Sequence, residues 1–193
     1  MQRIHDYSRE GLTLSKLLHA FSLFLPKNTR TLTRLKKFSD LDLTKIKNGS
    51  NIKGIILDVD GCIAYEHKEI LPENLQKIKE LTDLGMKIVI YSNMIWSPRY
   101  EKLKGVIVLA NVPPKPSRKG FEAALTALAL PKENVVMIGD NYITDGGAIK
   151  FGIPFIHIEP LKNGEEHFAS KLNNLFIGFF IWLSKRHEEL RAN

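Results

Sequence analysis

Two carboxylates spaced by one residue, Asp58 and Asp60, follow the apolar run Gly54-Ile55-Ile56-Leu57. Bounded by Lys53 and Gly61, that run reads as a strand buried on both faces of a parallel sheet. Acids serve a core badly, but in open α/β sheets the ligand crevice lies at the carboxyl ends of the strands. There one carboxylate can act as a nucleophile while the second acid protonates a leaving group. Three more strand-like runs lead into polar residues. Lys87-Ile88-Val89-Ile90-Tyr91 ends in Ser92-Asn93, Val106 to Ala110 runs on to Lys115-Pro116, and Asn134 to Gly139 ends in Asp140, with Asp145 shortly after. Taken singly, Ser92-Asn93 and Gly139-Asp140-Asn141 also suit ordinary turns after strands.

These groups need elements to hold them. Pro72 and Glu73 open a helix through Leu84, with Leu75, Ile78 and Leu81 at helical spacing. Gly85 is placed to end it as a left-handed cap. A second helix, Arg118 to Leu130, carries Phe121, Ala124, Leu125 and Leu128 on one face and stops before Pro131. A short segment, Pro98 to Lys104, joins the second and third strands. A helix from Thr144 to Phe151 precedes Gly152 and a fifth strand, Ile153 to Ile158. Alternating strands and helices predict an α/β fold around a parallel sheet. Upstream, Leu12 to Leu25 reads as a helix capped by Ser8 or Thr13 and followed by Pro26. A connector then holds a helical turn, Asp42 to Lys47, and a polar break at Asn48-Gly49-Ser50.

In order, Asp58-x-Asp60, Ser92, Lys115 and Gly139-Asp140-x4-Asp145 resemble the haloacid dehalogenase (HAD) superfamily of phosphohydrolases. The resemblance implies a three-layer Rossmann-like core over residues 51–162. A helical N-terminal extension, 1–50, and a C-terminal helical extension, 163–193, flank it. It implies Asp58 as the nucleophile that forms an aspartyl-phosphate. Mg²⁺ would be held by Asp58, the backbone carbonyl of Asp60, Asp140 and, through water or by orienting its neighbours, Asp145. Asp60 becomes general acid and then base; relatives with Thr at this position are typically phosphate-transporting ATPases. Ser92, helped by Asn93, would bind a phosphoryl oxygen, and Lys115 would balance charge on Asp58 and the phosphate. Lys119 competes for that role, but it falls in the first turn of a predicted helix, whereas Lys115 lies in the loop before it. Cys62 stands where many relatives have Thr and reads as a small buried residue.

Spacing excludes a large cap domain. Only 31 residues separate Asp60 from Ser92 and 22 separate Ser92 from Lys115. An open site suits a bulky substrate or a partner that serves as lid. The stretch Ile52 to Asp58, the capless spacing, Lys115-Pro116 with Phe121, and Ile138-Gly139-Asp140 before Thr144-Asp145 resemble the class IIIA, YqeG-like branch, which includes phosphatidylglycerophosphate phosphatases. Phe24-Leu25-Pro26 and Ile46-Lys47 look like its lead-in. Gly61-Cys62 in place of Asn-Thr, and Gly146-Gly147, depart from that branch. The substrate is then a lipid phosphate such as phosphatidylglycerophosphate, or a sugar, nucleotide or other small metabolite. A non-catalytic interaction module on the same scaffold would have no need of all six polar residues.

The 193 residues, 44% hydrophobic, suit one domain with short extensions. A single cysteine rules out an internal disulfide framework and fits a reducing compartment such as the cytoplasm. Asp6 and Glu10 precede the first apolar stretch, unlike a secretory signal. The net charge of +7 is uneven: residues 27–37 hold five Lys/Arg and no acid. That stretch is a solvated face or an attraction for an anionic surface; without interleaved aromatics it does not suit single-stranded nucleic acid. The apolar runs Leu12–Leu25 and Leu175–Leu183, the second followed by Lys185-Arg186, are too short to span a bilayer. Each either packs on the sheet or lies at a membrane interface.

Overall fold

The computed structural model describes residues 13–46, 51–93, 98–162 and 168–192, the side chains of the last stretch from 175 to 191. Ser8, Leu12, Lys47 and the Asn48-Gly49-Ser50 break lie outside these residues. Six strands form one parallel sheet: β1 (Thr33–Leu35), β2 (Gly54–Leu57), β3 (Lys87–Ile90), β4 (Val106–Val108), β5 (Val135–Gly139) and β6 (Phe155–Ile158). Their spatial order is β1-β6-β5-β2-β3-β4. From β2 the chain builds outward through β3 and β4, then crosses back to lay β5 on the other side of β2. That reversal opens a crevice at the carboxyl ends of β2 and β5. The described residues between Asp60 and Ser92 form a small excursion, helix α2 (Pro72–Asp83) and β3, with no large cap.

Side-chain alternation divides the sheet into two faces. Ile55, Leu57, Ile88, Ile90, Val136 and Ile138 pack with Ile78 and Leu81 of α2 (Pro72–Asp83). Ile56, Val89, Val135 and Met137 pack with Phe121, Ala124 and Leu128 of α3 (Arg118–Leu128). This gives the expected three-layer α/β architecture. Gly85 has φ +82°, the left-handed conformation expected after α2.

Several boundaries differ from the sequence reading. The helix expected over Thr144–Phe151 begins as consecutive turns, and only α4 (Gly147–Lys150) is α-helical. The Leu12–Leu25 helix is α1 (Leu14–Ser22), with Thr13 as its N-cap accepting from the Lys16 amide. The helical turn near residue 42 is Leu43–Lys45, capped by Asp42. The largest difference is β1, which lies inside the basic stretch and the expected helical extension. It pairs with the outer side of β6, Thr33 opposite Ile156. Its Arg34 is not simply solvated: the guanidinium binds Glu188 and Ser184 of the last helix, α5 (Phe168–Ala192). A three-residue edge strand, Thr33-Arg34-Leu35, with one apolar residue carries too weak a pattern to be read from sequence.

Candidate active site

Asp58 directly follows β2, and its amide extends the ladder to the Ile138 carbonyl of β5 at 3.0 Å. The adjoining strand ends therefore bring Asp58 and Asp140 together. Asp145 comes from the turns after β5, where its Oδ2 accepts from the Asn141 amide at 3.1 Å. One carboxylate oxygen from each of Asp58, Asp140 and Asp145 lies within 4.8 Å of the others, and all three residues are buried. Lys115 Nζ reaches Asp58 Oδ1 at 2.7 Å and Asp145 Oδ1 at 2.5 Å, with Lys115 1% and Asp145 0% exposed. Lys119 sits exposed on the first turn of α3.

One ammonium cannot neutralise three buried carboxylates. Burial and Asp145 push the Asp58 carboxyl up to about 7 against the pull of Lys115. Burial, then Asp145 and Asp58, also raise Asp140 well above the usual range. Lys115 is opposed by burial, but Asp145 and Asp58 outweigh it and raise its pKa. The cluster thus lacks a positive charge and offers hard oxygen donors. Mg²⁺ takes such oxygens at about 2.1 Å, usually with few protein ligands. The residues present fit that ion. Cys62 is buried, and burial followed by the three acids raises its thiol pKa, as suits a small packed residue rather than a nucleophile.

Asp60 does not join the three-carboxylate cluster. Arg99 grips its carboxylate, Nη1 to Oδ1 at 2.9 Å and Nη2 to Oδ2 at 2.5 Å, and the His67 amide donates to Oδ1 at 2.9 Å. Arg99 also donates to the Lys68 carbonyl, which ties the 61–71 excursion to the Pro98–Lys102 turn. Ser92 is buried just past β3. Asn93 uses its side-chain oxygen to accept from the Lys115 amide at 2.8 Å, which positions the lysine loop.

Sequence reading missed the supports of these groups. Arg99 gave no signal beyond being one of many basic residues. His157 on β6 and His19 on α1 each donate from Nε2 to a backbone carbonyl, of Asp140 at 3.0 Å and Tyr142 at 3.1 Å, since a carbonyl can only accept. Burial lowers both imidazoles to about 4, which keeps them neutral while they hold the loop bearing Asp140 and Asp145. The departures at Gly61 and Gly147 have a steric cause. A Cβ at Gly61 (φ +79°) would lie 2.5 Å from Asp140 Oδ2, and one at Gly147 would lie 2.6 Å from Pro116 Cβ.

Tyr91 braces the lysine loop: its hydroxyl donates to the Pro113 carbonyl at 2.7 Å and its ring meets Phe121 edge-on. Gly120, inside α3, makes room for it, because a Cβ there would fall 1.7 Å from the hydroxyl. A glycine in a helical pattern was the available signal. Gly120→Ala should therefore destabilise the protein by about 1–3 kcal/mol, the usual range for overpacking. Urea denaturation with an unchanged midpoint would refute this role for Gly120.

A family model described as mitochondrial PGP phosphatase matches residues 9–148, a span that includes Asp58, Asp60, Ser92, Lys115, Asp140 and Asp145. A Bacillus subtilis (strain 168) protein named "Probable phosphatase YqeG" is 32% identical over 121 residues, 60% of this chain and 69% of that protein. Partial overlaps with solved structures include an uncharacterized protein from Listeria monocytogenes serotype 4b. It is 21% identical, with 60% of this chain and 85% of that one covered and a TM-score of 0.46. Another is CbbY from Rhodobacter sphaeroides in complex with phosphate, 16% identical, with 61% and 91% covered and a TM-score of 0.43.

Proposed function

The chain belongs to the mitochondrial PGP phosphatase family and is a HAD-type phosphoric monoester hydrolase; on that premise we propose that it hydrolyses a lipid-borne phosphomonoester, phosphatidylglycerophosphate being the substrate class in the family's name, with Mg²⁺ and an aspartyl-phosphate on Asp58. The observation that carries the reading is the convergence of three buried carboxylates where β2 and β5 end, two of them paired with Lys115. Mg²⁺ would sit among Asp58, Asp140, Asp145 and the Asp60 carbonyl, and would supply positive charge against the phosphate.

Asp58 Oδ attacks phosphorus and the ester P–O bond breaks. Asp60 gives its proton to the departing alkoxide, so the alcohol leaves neutral. Water then attacks the aspartyl-phosphate, Asp60 takes its proton, and inorganic phosphate and free Asp58 result. Lys115, fixed by Asp145, balances charge on Asp58 and on the phosphoryl oxygens, and Ser92 binds one of those oxygens. In the ground state Asp60 accepts three hydrogen bonds from Arg99 and the His67 amide. Arg99 and the His67 amide thereby fix the orientation of the Asp60 carboxyl. The open, capless crevice accommodates a headgroup that remains attached to its lipid.

Hydrolysis of micellar phosphatidylglycerophosphate beside a panel of sugar and nucleotide monophosphates tests the substrate. Preference for a soluble ester would overturn the lipid part and leave the chemistry standing. Asp60→Asn tests the proton transfer. The loss should be on the order of 10²–10⁴-fold with an alkyl phosphate and much smaller with p-nitrophenyl phosphate, whose leaving group needs little protonation. Equal losses on both would remove Asp60 from that role.

A further inference from the structure

Each terminal helix turns large apolar side chains to solvent while burying polar ones. On α1 the polar Lys16 and His19 are buried with Ala20, while Leu14, Leu18 and Phe21 face outward at the i, i+4, i+7 spacing of one helical stripe. On α5 Ser184 and His187 are buried beside Ile177 and Phe180, while Phe176, Phe179 and Trp182 face outward. Phe21 and Trp182 are 65% and 59% exposed. Phe24, just past α1, meets Phe179 of α5 at 6.1 Å between centroids, and within α5 Phe179 meets Trp182 at 6.0 Å. Polar bonds fix the helices in this pose. Thr29 and His187 share a hydrogen bond of 2.9 Å, Thr31 and Arg34 hold Glu188, and His19 holds Tyr142. Rotating either helix to bury its apolar face would break those bonds. Contiguous apolar surface of this kind marks an interaction site.

Its rim selects the occupant. Lys27 and Arg30 follow α1, and Lys185 and Arg186 follow the aromatic run of α5; all four are exposed. Of these, Arg186 is paired, with Glu189. A second copy of the chain seated on the same face would bring these cations together. An anionic bilayer would attract them, with aromatics at headgroup depth and the basic side chains among the phosphates. No helix among the described residues is long and apolar enough to cross a membrane, so the contact is interfacial.

We propose that the outward faces of α1 and α5 form one docking surface for an anionic lipid bilayer. The biological sense of this surface rests on the lipid-phosphate reading above, whereas its existence does not require turnover. Docked there, α1 still touches the catalytic loop through His19 and the Tyr142 carbonyl, between the two acids Asp140 and Asp145. The crevice is thereby carried to where a membrane-anchored phosphate is presented.

The test is co-sedimentation of the full chain with phosphatidylcholine vesicles, with and without a third of phosphatidylserine. It is paired with gel filtration and with hydrolysis of p-nitrophenyl phosphate and of micellar lipid phosphate. The wild type should sediment with anionic vesicles, bind neutral ones less, and be partly released by salt. The combined variant Phe21→Glu, Phe176→Glu, Trp182→Glu should bind anionic vesicles at least about tenfold more weakly, having lost buried apolar area on both helices. Its p-nitrophenyl phosphate hydrolysis should be unchanged. The pair Lys27→Glu, Lys185→Glu keeps the apolar face and should lose the preference for anionic vesicles, which tests the surface even if the triple variant folds poorly. Wild type left in the supernatant at low salt, or either variant binding as before, overturns the proposal. So does a wild-type dimer that the triple variant dissolves without any vesicle binding. Micellar lipid phosphate left intact by a vesicle-bound protein would instead sink the substrate reading and spare the docking surface.

Discussion

Replacing Asp58 by Asn should reduce turnover by on the order of 10⁴-fold or more, as removal of a covalent nucleophile does. The fold should survive. Asp58 is buried beside Asp145 and Asp140, and its carboxyl is pushed up to about 7 by burial and by Asp145. An amide of the same shape removes one member of a crowded anionic set. In metal-free buffer near neutral pH, the variant should therefore melt no lower than the wild type. The pairing of outcomes is informative, because lost activity with a lowered melting temperature would describe misfolding instead. Rapid-quench labelling with a ³²P-monoester should yield an acid-stable phosphoprotein from the wild type and none from Asp58→Asn. Wild-type turnover in the variant would exclude the aspartyl-phosphate route.

Stripping divalent metal should abolish nearly all activity, more than the roughly 10²–10³-fold lost with a single oxyanion-stabilising donor. Magnesium should restore it. Stability gives an independent reading. Without metal, Asp58 moves from its ordinary 3.8 to about 7 in the folded chain. Between those values the native state holds a proton that the unfolded chain has released. Stability of the metal-free protein therefore falls as pH rises through that window. Mg²⁺ should raise Tm more at pH about 8, where the carboxylates are ready to bind it, than at pH about 5. A chelator without effect on rate, or a Tm indifferent to Mg²⁺ at both pH values, would exclude the metal from this site.

Much of this site was legible because its chemistry sits where the local pattern changes. The β2 run is apolar at every position and stops at Asp58, and β5 stops at Asp140; such breaks coincide with strand ends, where the sheet opens. Lys115 was separable from Lys119 because the start of α3 could be placed from its apolar face. The supports were not legible. Arg99 reaches Asp60 across 39 positions of chain, and His157 reaches Asp140 across 17. Nothing local in either residue's surroundings specifies that pairing. Asn93 illustrates the same limit: its polarity was visible, but only packing aims its oxygen at the Lys115 amide.

The sequence by itself determined the α/β class and the parallel sheet, which follow from short-range periodicity and from polar residues interrupting it, and its spacing left no room for a large cap. The candidate residues for phosphoryl chemistry came instead from the resemblance of their order and spacing to a known family pattern. Tertiary structure alone decided that β1 closes the sheet at β6, that two of three clustered carboxylates share one ammonium, and that Arg99 holds Asp60. It also decided which way the terminal helices face. The apolar periodicity of α1 predicts a buried stripe in water, yet the Tyr142 carbonyl holds His19 on the inner face and leaves the stripe outward, as Thr29 and Arg34 hold the inner face of α5. Helical spacing specifies which residues share a face. What that face meets depends on bonding partners far away in the chain, and those exist only once the sheet has formed.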